Sequence, residues 1–220
     1  MDCPLFGIHI NFGETMKNNL LILAMVLALP SCATNQKITA ADKEKIGEIS
    51  IAETVIKSDS FYYYGPASTV GMMFGAIGGA VAASANQAPA AEMKKLSEDN
   101  GILPDQIARE ALTKAMAESG KFRIASGKSQ AGNTIVISVP LYGLSIPNGF
   151  SSELIPVFMI RCEMFDANGK KIWSVSESAS IMNSAAQPAS FDQIKADPKL
   201  LEAAWHVAAR EVSKAIVENY

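Results

Sequence analysis

Histidine and cysteine are scarce in this chain of 220 residues, which contains two histidines and three cysteines. His9 lies in a segment that we exclude from the fold below, so a histidine metal site or a serine–histidine triad would depend on His206 alone. Phosphate-binding glycine loops, serine-centred elbows, paired-cysteine motifs and HExxH helices are also missing. The sequence therefore predicts no metal site, no cofactor and no enzymatic activity.

Basic residues show no excess, because 19 Lys and Arg stand against 22 Asp and Glu, for a formal net charge of -3. This balance argues against a nucleic-acid partner. The carboxylates are scattered over predicted solvent faces, whereas glycosidase chemistry needs two carboxyl groups held across a cleft. A hydrolase of envelope polymers is kept only as a third hypothesis.

An apolar run near the N-terminus indicates export. Lys17 precedes a charge-free run from Leu20 to Leu29, and Pro30-Ser-Cys32 follows. This is the layout of a secretory signal with its cleavage site, and the run is shorter than the roughly 20 apolar residues that span a bilayer. The ending resembles the lipobox of bacterial lipoproteins, in which the cysteine is acylated and begins the mature chain. A plain secretory signal and a buried core helix are the alternatives.

The predicted domain boundaries follow from this signal. Residues 1–15 contain no Lys or Arg and are predicted to be a start-site misassignment ahead of a signal peptide over 16–31. Residues 32–45 are small, polar and charged, as in a lipidated tether, and 46–220 are predicted to form one periplasmic domain. Ala33 is not the aspartate that retains enterobacterial lipoproteins in the inner membrane. The resemblance therefore implies a palmitate-bearing anchor at Cys32 in the outer membrane, facing the periplasm.

No charged residue occurs between Asp59 and Glu92, which is unusual in a chain that is 19% charged. We assign residues 60–91 to a Gly/Ala-rich insert. Gly71, Gly75 and Gly79 recur every four residues, so on a helix they would form a groove for a closely packed partner. This stripe resembles the glycine zippers of some envelope proteins. Three interpretations stay open: a membrane-inserted or self-associating helix, a small-residue helix packed on the protein's own sheet, and a mobile loop.

Alternating apolar residues predict the strands. Such alternation starts at Ile46 and predicts a first strand, and a short strand is expected over 121–125. A strand over 134–141 has one apolar face, and its Pro140 is expected at an edge or bulge. The apolar face consists of Ile135, Ile137, Val139 and Leu141.

The strand predicted over 154–166 has Phe158, Ile160, Cys162 and Met164 on one face. Cys3 lies ahead of the signal and Cys32 is its acylated cleavage residue, which leaves Cys162 alone, so no internal disulfide is expected. A buried core thiol is favoured over a reactive or intermolecular one. Asn168-Gly169 then predicts a hairpin, which leads into a strand with Trp173 and Val175 inward.

Helices are predicted between residues with typical start and stop signals. Pro104 and Gly120 bound one helix, and capping-box spacing at Ser190 starts a brief second one. Asp197-Pro198 starts the last helix. Its buried stripe is predicted as Leu201, Trp205, Ala208, Val212 and Ile216, with Glu202, His206, Arg210 and Ser213 on the opposite, solvent side.

This order of elements predicts an α+β fold, in which two main helices cover one face of a mixed sheet and a Gly/Ala-rich helical insert follows the first strand. Together with Glu118–Ile124 and the hairpin Phe165–Trp173, the order resembles the periplasmic domain shared by the curli secretion channel lipoprotein, the amino-terminal domain of TolB and the lipoprotein activators of peptidoglycan synthases. The resemblance covers roughly 46–220. The insert departs from it, and the long membrane-spanning hairpins of the curli channel are missing, so a channel is not expected.

These features favour a non-enzymatic, lipid-anchored scaffold or assembly factor at the periplasmic face of the outer membrane. Its expected partners are the membrane, through Cys32, and a second copy or another envelope protein, through Gly71, Gly75 and Gly79. The alternative is a tethered regulatory module for a cell-wall synthesis enzyme, which binds through the sheet surface while the glycine segment packs on its own domain.

Overall fold

A mixed sheet lies at the centre of the fold, as the sequence predicts. The structure is a computed structural model that describes residues 35–66, 68, 75–125, 132–149, 151–180 and 185–220, with only the backbone of 75–83. Among these residues the strands are β1 (Ile49–Ile51), β2 (Ile56–Lys57), β3 (Tyr62–Tyr64), β4 (Asn133–Ser145), β5 (Glu153–Phe165), β6 (Lys171–Ala179) and β7 (Ala189–Ser190).

The described helices are α1 (Ala40–Lys43), α2 (Gly75–Asp99), α3 (Pro104–Ser119), α4 (Phe191–Ala196) and α5 (Lys199–Glu218). The predicted signals account for several of their ends. Gly120 stops α3 in the left-handed conformation, with φ of 65°. The Ser190 and Gln193 side chains form the predicted capping box of α4.

Strands β4, β5 and β6 form an antiparallel meander, while β1, β2 and β3 each pair in parallel with β4. The single strand predicted from Ile46 is therefore wrong in extent, because the chain leaves the ladder between β1 and β2. At this interruption the Glu53 carbonyl accepts a hydrogen bond from the Arg109 guanidinium of α3. One edge of the sheet consequently consists of three short strands.

Pro140 lies at a shift in the β4–β5 register between Ser138 and Leu141, which confirms the predicted bulge. The bulge reverses the alternation, so the assignment of Leu141 to the inward face is wrong. Leu141 is half-buried, and Tyr142 is 2% exposed in its place.

Helices α3 and α5 cover one face of the sheet, and the predicted inward residues of β5 and β6 are buried there. The predicted stripe of α5 is also buried, and His206 is exposed. The assignment of Ser213 to the solvent side of α5 is wrong, because its side chain is fully buried. Helix α5 packs against α3 as well as the sheet, so its buried arc is wider than a single apolar stripe.

Helix α2 continues to Asp99, eight residues past the predicted end of the insert at residue 91. Lys94–Glu98 and Lys95–Asp99 form (i, i+4) ion pairs in this added length, and Gly101 turns the chain with φ of 67°. None of the described helices combines the length and apolar character required to cross a membrane.

The strand predicted over 121–125 is reduced to a bridge between Ile124 and Ile49. The hairpin at Asn168-Gly169 is present, with β5 and β6 antiparallel on either side and Gly169 at φ of 76°.

Candidate binding surface

The predicted site residues fall in different parts of the chain. Cys32 and Gly71 lie outside the described residues. Gly75 and Gly79 occupy the first two turns of α2, whose backbone is described. The expectation that they contact a partner stays a prediction.

Helix α2 packs on the domain through its second half. Met93 is fully buried and Ser97 is 2% exposed, while Ala90 is half-buried against the core. Ser97 follows Gly79 by about five turns at 3.6 residues per turn, so both positions share one helical face. By this period, the glycine positions lie on the same side of α2 as the residues that pack against the domain further along the helix.

A cleft of about 290 Å³ lies between α2 and the edge strand β3. Its lining combines aromatic rings, short apolar side chains, hydroxyls and amides, and contains no charged side chain. The lining residues are Ser58, Ser60, Phe61, Tyr62, Tyr63, Asn86, Gln87, Ala90 and Leu141. The run of aromatic residues from Phe61 to Tyr64 was the sequence signal for this site, but we assigned it to the insert.

The amide of Asn86 fixes α2 at one side of the cleft. Its Nδ2 donates to Ser68 Oγ at 2.7 Å, and its Oδ1 lies 3.5 Å from the donating Gly65 N–H. A Cβ at position 65 would come within 2.4 Å of the end of the Tyr63 ring, so a larger residue there requires that ring to shift. The chain after β3 therefore packs closely against the cleft.

The floor of the cleft is part of the aromatic core. Phe61 meets Tyr142 edge to face, with ring centroids 5.8 Å apart, and lies 5.8 Å from Trp205. Tyr63 makes a similar edge contact with Phe191 of α4, at 5.9 Å. These contacts hold the rings of Phe61 and Tyr63 in place before any ligand binds.

The phenol groups near the cleft are uncharged at neutral pH. Burial raises the pKa of Tyr63, and burial followed by the neighbouring Tyr64 raises the pKa of Tyr62. Burial also raises the pKa of Tyr142, with smaller contributions from Glu98, Asp59 and Asp105. The site is therefore suited to an uncharged or apolar group.

Two large apolar side chains are exposed on consecutive short strands of this sheet edge, and the second of them lines the cleft. Ile56 of β2 is 62% exposed, and Tyr62 of β3 is 39% exposed. Both strands pair with β4 at the same sheet edge. We refer to Ile56, Tyr62 and the cleft as the aromatic edge.

The remaining reactive groups lie away from this edge. Cys162 is a free thiol with a fully buried side chain, which confirms the prediction of a core cysteine. Burial, and then the adjacent Glu163, raises its pKa well above the usual range. Across the part of the chain that the structure describes, no group of three His, Cys, Asp or Glu side chains is placed to hold a metal ion.

The opposite sheet face is half-buried and mixed in character. It carries Met159, Arg161, Glu163 and Phe165 of β5 beside Ser176 of β6. This is the surface through which the regulatory alternative would act.

No protein-family model matches the sequence, and no curated protein matches it. Among solved structures, the chain is similar to protein XCC0632 from Xanthomonas campestris, described by the DUF330 family model, at 13% identity and a TM-score of 0.39 over 51% of this chain and 58% of that protein. The chain thus spans little more than half the length of that neighbour.

A PelC dodecamer from Paraburkholderia phytofirmans is similar at 12% identity and a TM-score of 0.37, over 84% of this chain and 94% of that one. Lipoprotein GNA1162 from Neisseria meningitidis follows at 16% identity and a TM-score of 0.23, over 60% and 81%. These neighbours include a lipoprotein and an oligomer, but their TM-scores are too low to assign function. The resemblance to the curli, TolB and synthase-activator domain stays a prediction.

Proposed function

We propose that the protein is a non-enzymatic scaffold or assembly factor, anchored by a lipid on Cys32 at the periplasmic face of the outer membrane, which binds its partner through the aromatic edge. The observation that carries the binding role is the exposure of Ile56 and Tyr62 on consecutive short strands of one sheet edge. Large apolar side chains grouped at one surface are typical of a protein-interaction site.

The character of the aromatic edge favours a protein partner with an apolar side chain at its contact. The cleft walls are uncharged, and the rings of Phe61 and Tyr63 are held by neighbouring aromatic side chains. An inserted apolar group would therefore lose water without leaving a charge unpaired. A second copy of the chain and another envelope protein both meet this requirement.

A non-enzymatic role is supported by the chemistry of the cleft. Its lining contains no carboxylate, histidine or thiol, and burial raises the pKa values of Tyr62 and Tyr63 above their ordinary value. Neutral phenols with raised pKa values are poor proton-transfer groups near pH 7.

The second candidate is a tethered regulatory module for a cell-wall synthesis enzyme, and the packing of α2 favours it. Met93 and Ser97 bury one face of this helix against its own domain, and Gly75 and Gly79 continue that face. In this case the glycine positions serve intramolecular packing, and the half-buried sheet face with Arg161 and Glu163 binds the enzyme.

Paired substitutions separate these functions. We expect Ile56→Asp with Tyr62→Ala to abolish cross-linked complexes in native membranes without loss of fold. Leu200→Asp is the control and should retain the complexes, because Leu200 is as exposed as Tyr62, at 39%, but lies on α5. Gly75→Leu with Gly79→Leu should change the complexes without loss of fold if the glycine face is the contact, and should destabilise the domain if that face packs on the domain itself. Retention of every complex by the aromatic-edge variant, with loss in an Arg161→Ala and Glu163→Ala variant, would establish the regulatory candidate instead.

A further inference from the structure

The segment that follows the predicted anchor is bonded to the sheet from Asn35 onward. Gln36 N–H donates to the Ser174 carbonyl at 2.8 Å, and Ser174 N–H donates to the Gln36 carbonyl at 3.1 Å. The Asn35 Oδ1 accepts the Ser176 N–H at 3.0 Å. Gln36 Nε2 donates to the Lys171 carbonyl at 3.3 Å. These bonds add a short extended segment to the outer edge of β6.

The following residues continue the attachment. Ile38 and Ile46 are half-buried and pack against the core. Lys43 Nζ donates to the carbonyl oxygen of Tyr220 at 3.2 Å and lies 4.6 Å from the centroid of its ring. Residues 35–46, which we term the strap, therefore interact with the domain at both ends and at α1, although the sequence predicted a tether over 32–45.

The strap leaves little free chain between the domain and the predicted anchor. Only Ala33 and Thr34 separate Cys32 from Asn35. The three Cα–Cα steps between Cys32 and Asn35, of about 3.8 Å each, span at most about 11 Å. An acyl group on Cys32 would consequently hold the β6 edge near the bilayer surface.

The aromatic edge lies at the far corner of the sheet. Ser174 pairs with Glu163, which pairs with Val136 near the start of β4, whereas Tyr63 pairs with Leu144 near the end of β4. Strand spacings of about 4.8 Å and a rise of about 3.3 Å per residue place Tyr63 roughly 30 Å from Gln36 of the strap.

We propose that the strap fixes the orientation of the domain on the membrane, with the β6 edge against phospholipid headgroups and the aromatic edge directed into the periplasm. This inference rests on the proposed function, because it requires acylation of Cys32. Two exposed lysines suit a headgroup layer, because lysine is attracted to anionic lipid. Lys37 belongs to the strap, and Lys170 precedes Lys171, whose carbonyl binds Gln36.

The orientation can be measured with the acylated full-length chain in vesicles of phosphatidylethanolamine and phosphatidylglycerol that contain a nitroxide-headgroup lipid as quencher. A thiol-reactive fluorophore is placed on Lys37→Cys, in the strap, or on Ser60→Cys, at the cleft. Cys3 is removed with the predicted signal, Cys162 is fully buried and Cys32 carries the lipid, so each variant has one accessible thiol. We expect the Lys37→Cys label to be quenched at least threefold more than the Ser60→Cys label.

A chain with ten Gly and Ser residues inserted between Thr34 and Asn35 is the matched control, since it keeps the strap and the acylated cysteine. The insertion should bring the quenching ratio close to one. Equal quenching in the uninserted, vesicle-bound protein would overturn the fixed orientation while leaving the anchor intact. Persistence of the threefold ratio after insertion would also overturn the role of the short connection. Failure of the acylation itself, detected by intact mass, would refute the proposed anchor and this inference with it.

Discussion

The indole Nε1 of Trp205 donates a hydrogen bond to the carbonyl oxygen of Gly143 across 3.2 Å. Gly143 also pairs with Tyr62 of the aromatic edge, so this bond joins α5 to the strand beneath the cleft. Phe61 and Tyr142 pack on the same indole ring. The shape of the candidate binding surface therefore depends on a residue in the middle of the last helix.

Trp205→Phe should lower the free energy of unfolding by about 2 kcal/mol or more, because it removes the buried indole hydrogen bond to the Gly143 carbonyl and part of a packed ring. Urea unfolding at pH 7 measures this change. Trp173→Phe, at a comparably buried site, corrects for the change in ring size. An equal or larger loss in the Trp173→Phe variant would contradict a special contribution from the hydrogen bond.

Gly143→Ala should destabilise the protein by about 2–4 kcal/mol and detach β3 from β4. Gly143 has φ of 154°, and a Cβ there would come within 1.8 Å of the Tyr62 carbonyl oxygen. Thermal unfolding and hydrogen exchange at Tyr64 test both effects. Gly47→Ala is the control, because a Cβ at that position meets no atom within 4 Å. Similar melting temperatures for the two variants would show that β3 can shift without cost.

Two serines should respond to alanine in opposite directions. Ser213 Oγ is buried and has no hydrogen-bond partner among the residues that the structure describes, so Ser213→Ala should raise the free energy of unfolding by about 0.5–1 kcal/mol. Ser190 caps α4 by accepting the Gln193 N–H at 3.2 Å, so Ser190→Ala should lower it by about 1 kcal/mol. Chemical denaturation of both variants is the measurement, and destabilisation by Ser213→Ala would mean that its hydroxyl has a partner.

The Cys162 thiol should make stability fall with pH in the alkaline range. Burial raises its pKa in the folded state, so above about pH 8.5 the unfolded chain loses this proton more readily than the folded one. The contribution is complete below that pH and is lost as the pH rises, with a limiting slope of about 1.4 kcal/mol per unit. Unfolding curves from pH 8 to 10.5 should therefore fall more steeply for the native chain than for Cys162→Ala. Parallel curves would contradict the shifted thiol pKa.

Local patterns predicted the parts of the fold that depend on local rules. Ile135, Ile137 and Val139 face the core because alternation holds along an uninterrupted strand, and Gly120 ends α3 because it adopts the left-handed conformation. Alternation could not locate Leu141, since the bulge at Pro140 reverses the faces after it. The helical period likewise could not predict the burial of Ser213, because the packing of α3 against α5 is a contact between distant segments.

The candidate site was harder to predict for the same physical reason. Phe61 and Asn86 line one cleft, although they are 25 positions apart in the sequence. The spacing of apolar residues in either segment does not predict that the two segments come together. The strap was missed because Gln36 is held to Ser174 mainly by backbone hydrogen bonds. Such bonds have almost no side-chain signature, so a polar segment that pairs with an edge strand resembles a free linker in sequence.

The interruption of the outer sheet edge has a consequence for crowding. Strands β1, β2 and β3 meet β4 as pieces of three, two and three residues, so neighbouring molecules find no long row of free peptide groups on which to extend the sheet. If the proposed lipid anchor concentrates copies in the plane of the membrane, one continuous strand at this edge would allow their sheets to join edge to edge. Under the proposed function, association at the aromatic edge would then depend on side-chain contacts, which are reversible.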